Sequence, residues 1–131
     1  MNLARTYAIV FGVVYTLVGL IGFTVATTLT TAYLIVFPVN VVHNIVHLLI
    51  GLIGIGAFFS GQAVAYCRGM AVLFAILTVA GFLPQPLLGI VPLGGADIPL
   101  HAATAILAAL AGWLYRSEPQ MDSTPTPSES V

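Results

Sequence analysis

Long apolar segments, separated by shorter polar or proline-containing stretches, dominate the chain. A helix that crosses the hydrocarbon of a bilayer needs roughly 20 mostly apolar residues. Four segments meet this requirement, and they cover residues 3–27, 41–60, 65–83 and 98–116. The stretch between the second and third segments is very short, which predicts a tight turn there. The pattern therefore predicts an all-α fold, an integral membrane four-helix bundle.

Composition excludes several other classes of protein. Of 131 residues, 60% are hydrophobic and only 5% are charged, whereas soluble domains carry about 25% charged residues. The lipid bilayer is therefore the expected partner. A net charge of −1 gives no basic surface for nucleic acid. The single cysteine, Cys67, excludes an internal disulfide and a thiolate cluster for zinc or iron–sulfur.

The two ends of the chain differ in character. The first span is too long for a signal-peptide core of about 7–15 residues, so we interpret it as a retained helix. Residues 117–131 are polar, acidic and rich in proline and serine. Such a segment lacks the apolar area needed to fold, which predicts a disordered tail.

The arginines predict the orientation. Arg5, Arg68 and Arg116 fall on one side of a four-span protein, and the other side has no Lys or Arg. The positive-inside rule places both termini, and the tail, in the cytoplasm. The connections at 28–40 and 84–97 then face outward. Several tyrosines and Trp113 near span ends are interpreted as anchors at the membrane interface.

An internal repeat relates the two halves. The segments PVNVVHNIVHLLIG, from Pro38, and PLGGADIPLHAATA, from Pro92, both reach a histidine nine residues after the proline. The alignment matches His47 with His101 and, four residues earlier, His43 with Asp97. It predicts two repeated helix–loop–helix hairpins, related by an axis along the membrane normal. The second and fourth helices would then begin at the same depth.

The repeat brings polar side chains together in an apolar setting, where they are costly without partners. The candidate metal ligands are His43, His47, Asp97 and His101. Imidazole with a carboxylate suits transition metals, and Asn40 and Asn44 would supply hydrogen bonds to the ligands. A tetrapyrrole is the other candidate cofactor, with His47 and His101 as its axial ligands.

A structural interpretation stands beside these. Asn40 and Asp97 would cap the second and fourth helices, and the histidines would bond to each other and to the connections. Small residues follow His47 on the same face, at Gly51 and Gly54. They are typical of close helix packing in membranes, with a floor beneath a cofactor as the alternative.

Two short segments also resemble a known family. NVVHNIVHLLIG, from Asn40, and GADIPLH, from Gly95, are similar to the paired motifs of the bacterial domain-of-unknown-function family 4383. The resemblance covers nearly the whole chain up to Arg116. It implies a small bacterial four-helix protein in the cytoplasmic membrane, and it implies no activity.

Several functions remain open. The leading hypothesis is a small multi-pass membrane accessory or binding protein, whose outward-facing His/Asp cluster holds a metal or cofactor or locks the bundle. Its partner would be a larger membrane complex or a homo-oligomer. One alternative is a haem- or chlorophyll-binding subunit of an electron-transfer or photosynthetic complex, and another is an oligomeric transporter or channel. An enzyme is the least favoured class.

Overall fold

Four long helices make up most of the structure. The computed structural model describes residues 2–114. The helices are α1 Leu3–Gly22, α2 Val41–Ser60, α3 Ala63–Ala80 and α4 Asp97–Ala109, the last continued by a π-helical turn, Leu110–Leu114. All four, α4 together with that turn, are long and apolar enough to span a membrane, which confirms the predicted fold class. The predicted disordered tail and Arg116 lie outside the described residues.

Two helix ends differ from the predicted spans. α1 ends at Gly22, where the sequence predicts a span over 3–27. The chain instead turns: Thr24 donates to the Ile21 carbonyl from both its N–H and its Oγ1, and the Ala26 N–H donates to the Gly22 carbonyl. α3 covers Ala63–Ala80 where the sequence predicts 65–83. Apolar residues beyond a helix end are indistinguishable from the span by hydropathy.

α1 packs along α2, and α3 packs along α4. Glycines allow the first pair to approach closely. A Cβ on Gly51 of α2 would lie 2.8 Å from the Gly12 carbonyl oxygen of α1, and one on Gly12 would lie 2.8 Å from the backbone nitrogen of Ile55. A Cβ on Gly54 would lie 3.0 Å from the Ala8 carbonyl oxygen and 2.7 Å from the Tyr66 hydroxyl. The packing interpretation of this small-residue stripe is thus confirmed.

Both long connections lie at one end of the bundle, which we call the loop end. The first connection, residues 23–40, contains an antiparallel hairpin of β1 (Ala32–Leu34) and β2 (Phe37–Val39), with Tyr33 opposite Pro38. The second connection, residues 81–96, has a single bridge between Leu87 and Val91. The sequence analysis did not predict the hairpin.

The opposite end holds the short turn between α2 and α3. There the Arg5 guanidinium lies 4.8 Å from the centre of the Phe58 ring, and that of Arg68 lies 5.6 Å from the Trp113 ring. The Nε of Arg68 also donates to the Gly112 carbonyl at 2.9 Å. The two described arginines named in the orientation argument therefore share one end of the bundle.

Candidate functional site

Asn40 joins the start of α2 to both connections. Its Oδ1 accepts from the His43 N–H at 3.0 Å, so it caps the helix as the sequence predicts. Its Nδ2 donates to the carbonyl of Ile90 at 2.6 Å and to that of Leu29 at 3.2 Å. The residue is completely buried. One side chain therefore satisfies the helix terminus and a carbonyl group in each connection.

Asn44, one turn further along α2, makes a similar contact with the first connection. Its Nδ2 donates to the Ala26 carbonyl at 2.9 Å. The amide packs directly on Gly22, where any Cβ would overlap the Asn44 side chain. The glycine at the end of α1 therefore leaves room for this hydrogen bond.

His43 and His47 contact each other. Nδ1 of His43 lies 2.9 Å from the Pro92 carbonyl oxygen, and its Nε2 lies 3.1 Å from Nε2 of His47. A carbonyl oxygen only accepts, so Nδ1 of His43 carries the hydrogen. In the neutral ring Nε2 is then an acceptor, and Nε2 of His47 donates to it. Nδ1 of a neutral His47 is left as an acceptor.

The fourth helix contributes Asp97 and His101, both about 2% exposed. The expectation that Asp97 caps α4 is wrong: Asp97 is the first helical residue, and the preceding Ala96 makes no side-chain capping bond. α4 begins one residue before the predicted start at 98. It follows a turn at Gly94 and Gly95 in which the Asp97 N–H donates to the Gly94 carbonyl at 3.4 Å. Oδ2 of Asp97 lies 3.8 Å from Nδ1 of His43.

Three buried polar atoms of this region have no hydrogen-bond partner among the described residues: Nδ1 of His47, Oδ2 of Asp97 and Nδ1 of His101. Buried polar atoms in native proteins are nearly always paired, and each exception needs an explanation. Within residues 2–114, no three His, Cys, Asp or Glu side chains are grouped so as to hold a metal ion. The predicted ligand set therefore stays a prediction.

Two cavities adjoin the histidines. One, of about 100 Å³, is lined by His43, His47 and His101 together with apolar side chains of α2, α3 and the second connection. The other, of about 180 Å³, is lined by His43, His47 and Asp97 with residues of the hairpin. Each cavity thus brings side chains of α2 and α4 to a common space.

Residues 5–114 match the family described as "Domain of unknown function (DUF4383)". The chain belongs to the DUF4383 family. The predicted resemblance is thereby confirmed over most of the chain. No curated protein and no solved structure matches it.

The site of this DUF4383 protein includes an aromatic residue that the sequence analysis did not assign to it. Tyr15 of α1 is buried, and its hydroxyl lies 3.2 Å from Oγ1 of Thr104 on α4. Its ring centre lies 5.2 Å from that of His47. The spacing in the sequence could have indicated that Tyr15 is buried. Tyr15 lies on the same helical face as Gly12 and Gly19, the glycines of α1 that pack against α2.

Proposed function

We propose that this DUF4383 protein is a small multi-pass membrane accessory protein whose polar cluster locks the loop end of the bundle. The observation that carries the proposal is a set of donors on the first turn of α2. Asn40, His43 and Asn44 each donate a side-chain hydrogen bond to a carbonyl oxygen of a connection. Together they reach both connections, so the α1–α2 pair is tied to the α3–α4 pair.

The surface supports an accessory role within the membrane. Many large aliphatic and aromatic side chains of the four helices are exposed, which favours partners that meet this protein in the plane of the bilayer. Our proposal includes a larger membrane complex or a homo-oligomer as the partner. It also retains the orientation with both termini in the cytoplasm, which the shared end of Arg5 and Arg68 supports.

The lock is tested by comparing two asparagine caps. Asn2 caps α1 by accepting from the Arg5 N–H at 2.9 Å, and Asn40 does the same for α2 but also bonds to Leu29 and Ile90. Asn40→Ala should accelerate amide hydrogen exchange in both connections, whereas Asn2→Ala should leave both unchanged. Equal protection of the connections in the two variants would contradict the lock.

A second candidate function follows from the three unpartnered atoms. They are imidazole nitrogens and a carboxylate oxygen, the donor types that bind transition metals. The side chains of His47, Asp97 and His101 would have to come together, because no such group of three is preformed within residues 2–114. In this role the cluster takes up a cation at the loop end.

Metal titration separates the two functions. A ligand that binds only the folded state at 100 times its Kd raises the unfolding free energy by about 2.7 kcal/mol. If the cluster binds zinc, copper, nickel or iron, the Tm should rise with that metal, and His47→Ala and His101→Ala should each abolish the rise. Asp97→Asn should reduce it less. A flat Tm across the four metals would overturn the metal function and leave the lock.

The tetrapyrrole alternative fits the interior poorly. Pockets for drug-sized ligands measure about 300–1,000 Å³, and the cavities beside the histidines measure about 100 and 180 Å³. A pigment would have to lie on the lipid-facing side of the bundle. An absorption spectrum of the protein purified in mild detergent tests this, since a Soret or chlorophyll band would favour the pigment.

A further inference from the structure

The two connections at the loop end carry no charged side chain. Residues 23–40 and 81–96 contain no Asp, Glu, Lys, Arg or His. Soluble surfaces carry charges of both signs, and charged residues make up about 25% of soluble domains. Two connections of this length without a charge are therefore unusual for segments bathed in water.

The tip of each connection projects a large, almost fully exposed aliphatic side chain. Ile35 and Leu88 are both 87% exposed. Both have a positive φ, 61° for Ile35 and 53° for Leu88, a conformation that normally selects glycine or asparagine. An aliphatic residue at such a position carries backbone strain that glycine would avoid. The two tips share this feature although their turns differ.

Along the chain, further exposed apolar residues lie between the helices and the tips. Exposed apolar residues lead from the ends of α1 and α3 into the connections: Ile21, Val25, Leu29, Phe82, Leu83 and Ile90. A helix of 20 residues, such as α1 or α2, is about 30 Å long, which equals the thickness of the hydrocarbon core. The connections therefore begin where the headgroups begin.

We propose that both connections lie in the headgroup region of the bilayer, with Ile35 and Leu88 inserted toward the acyl chains. The exposed Tyr33, on β1 of the same hairpin, is of the residue type enriched at this depth. Lipid at the membrane interface is the partner of this surface. The inference goes beyond the polar lock and does not depend on it, because it concerns the outer face of the connections.

Single-tryptophan fluorescence tests the insertion. Trp113, the one tryptophan of the chain, is replaced by phenylalanine, and Ile35→Trp or Leu88→Trp is added. Each variant is reconstituted alone into phosphatidylcholine–phosphatidylglycerol vesicles. Lipid brominated near the top of the acyl chain should remove the larger part of the emission. Aqueous iodide should remove little of it, and the emission maximum should be blue-shifted relative to N-acetyltryptophanamide in buffer.

Two controls keep the result interpretable. The otherwise unchanged protein, with Trp113 alone, provides a membrane-protein reference in the same vesicles. The Trp113→Phe variant without a new tryptophan measures the background. Strong quenching by iodide, with no effect of lipid bromine at either tip, would overturn the proposal and favour a water-exposed surface that docks on another protein. Hydrogen exchange of the same variants reports separately on the lock.

Discussion

Replacing His43 by leucine tests the lock in energetic terms. The substitution keeps a side chain of similar size but removes two buried hydrogen bonds, to the Pro92 carbonyl and to Nε2 of His47. Interhelical hydrogen bonds in a membrane protein contribute about 0.6 kcal/mol on average and about 1.7 kcal/mol at most. The bonds of His43 join it to the second connection and to His47 of its own helix rather than to another helix. Two bonds of this strength predict a loss of about 1–3 kcal/mol in the free energy of unfolding.

His101 supplies the matched comparison. It is as buried as His43, but its Nδ1 has no partner within the described chain. A buried polar atom without a partner costs about 1–3 kcal/mol of stability, and a leucine of similar size removes that cost. His101→Leu should therefore unfold at the same free energy as the unchanged protein or slightly above it. Both values come from reversible unfolding in mixed micelles without added metal.

The unfolding free energies of His43→Leu and His101→Leu together distinguish the lock from ligand binding. If His43→Leu is as stable as the unchanged protein, the hydrogen bonds of His43 do not hold the loop end together. If His101→Leu loses as much stability as His43→Leu, His101 has a bound partner that completes its hydrogen bonding. In the first case the lock fails, and in the second the ligand-binding function gains support.

Two other predictions concern packing and orientation. Gly51→Ala should destabilise the bundle by several kcal/mol, because its Cβ would overlap the backbone of α1. A Cβ on Gly56 meets nothing within 4 Å, so Gly56→Ala should be neutral or slightly stabilising through the higher helix propensity of alanine. Equal melting temperatures of the two variants would refute the packing argument. A cysteine at Thr30 should react with a membrane-impermeant thiol reagent in intact cells, and one at Gln62 should not; the opposite pattern would reverse the orientation.

The sequence predicted the four helices because lipid imposes one requirement on all of them. A span must be apolar over its length and must satisfy its own backbone, and both properties can be read from local composition. The helix ends were harder to predict. Apolar residues continue past Gly22, and the turn bonds of Thr24 and Ala26 end the helix there.

The site was predicted in part. The spacing of His43 and His47 correctly indicated a shared face, and Asn40 is the cap that its position suggested. The structural interpretation gave Asp97 a capping role because aspartate is one of the preferred N-cap residues. Its actual position depends on the turn before α4, and its approach to His43 on another helix is a tertiary contact that no local pattern specifies.

The strand pairing in the first connection shows a second limit. Residues 32–39 contain aromatic and branched side chains that favour strands, but Ile35 and Val36 at the turn lack the usual glycine or asparagine signal. The hairpin is short. Asn40, directly after it, donates to the carbonyl of Leu29, which lies before the hairpin, and to that of Ile90 in the second connection. Its conformation therefore depends on contacts with the rest of the loop end.

The most direct test of the lock is the protonation of the imidazoles. The chain has three histidines, so solid-state nitrogen-15 NMR of histidine-labelled protein in lipid bilayers can be assigned with single variants. The account predicts that His43 is protonated at Nδ1 and His47 at Nε2, with a measurable coupling across the Nε2–H···Nε2 hydrogen bond between them. Protonation of His43 at Nε2, with no coupling between the two rings, would contradict it.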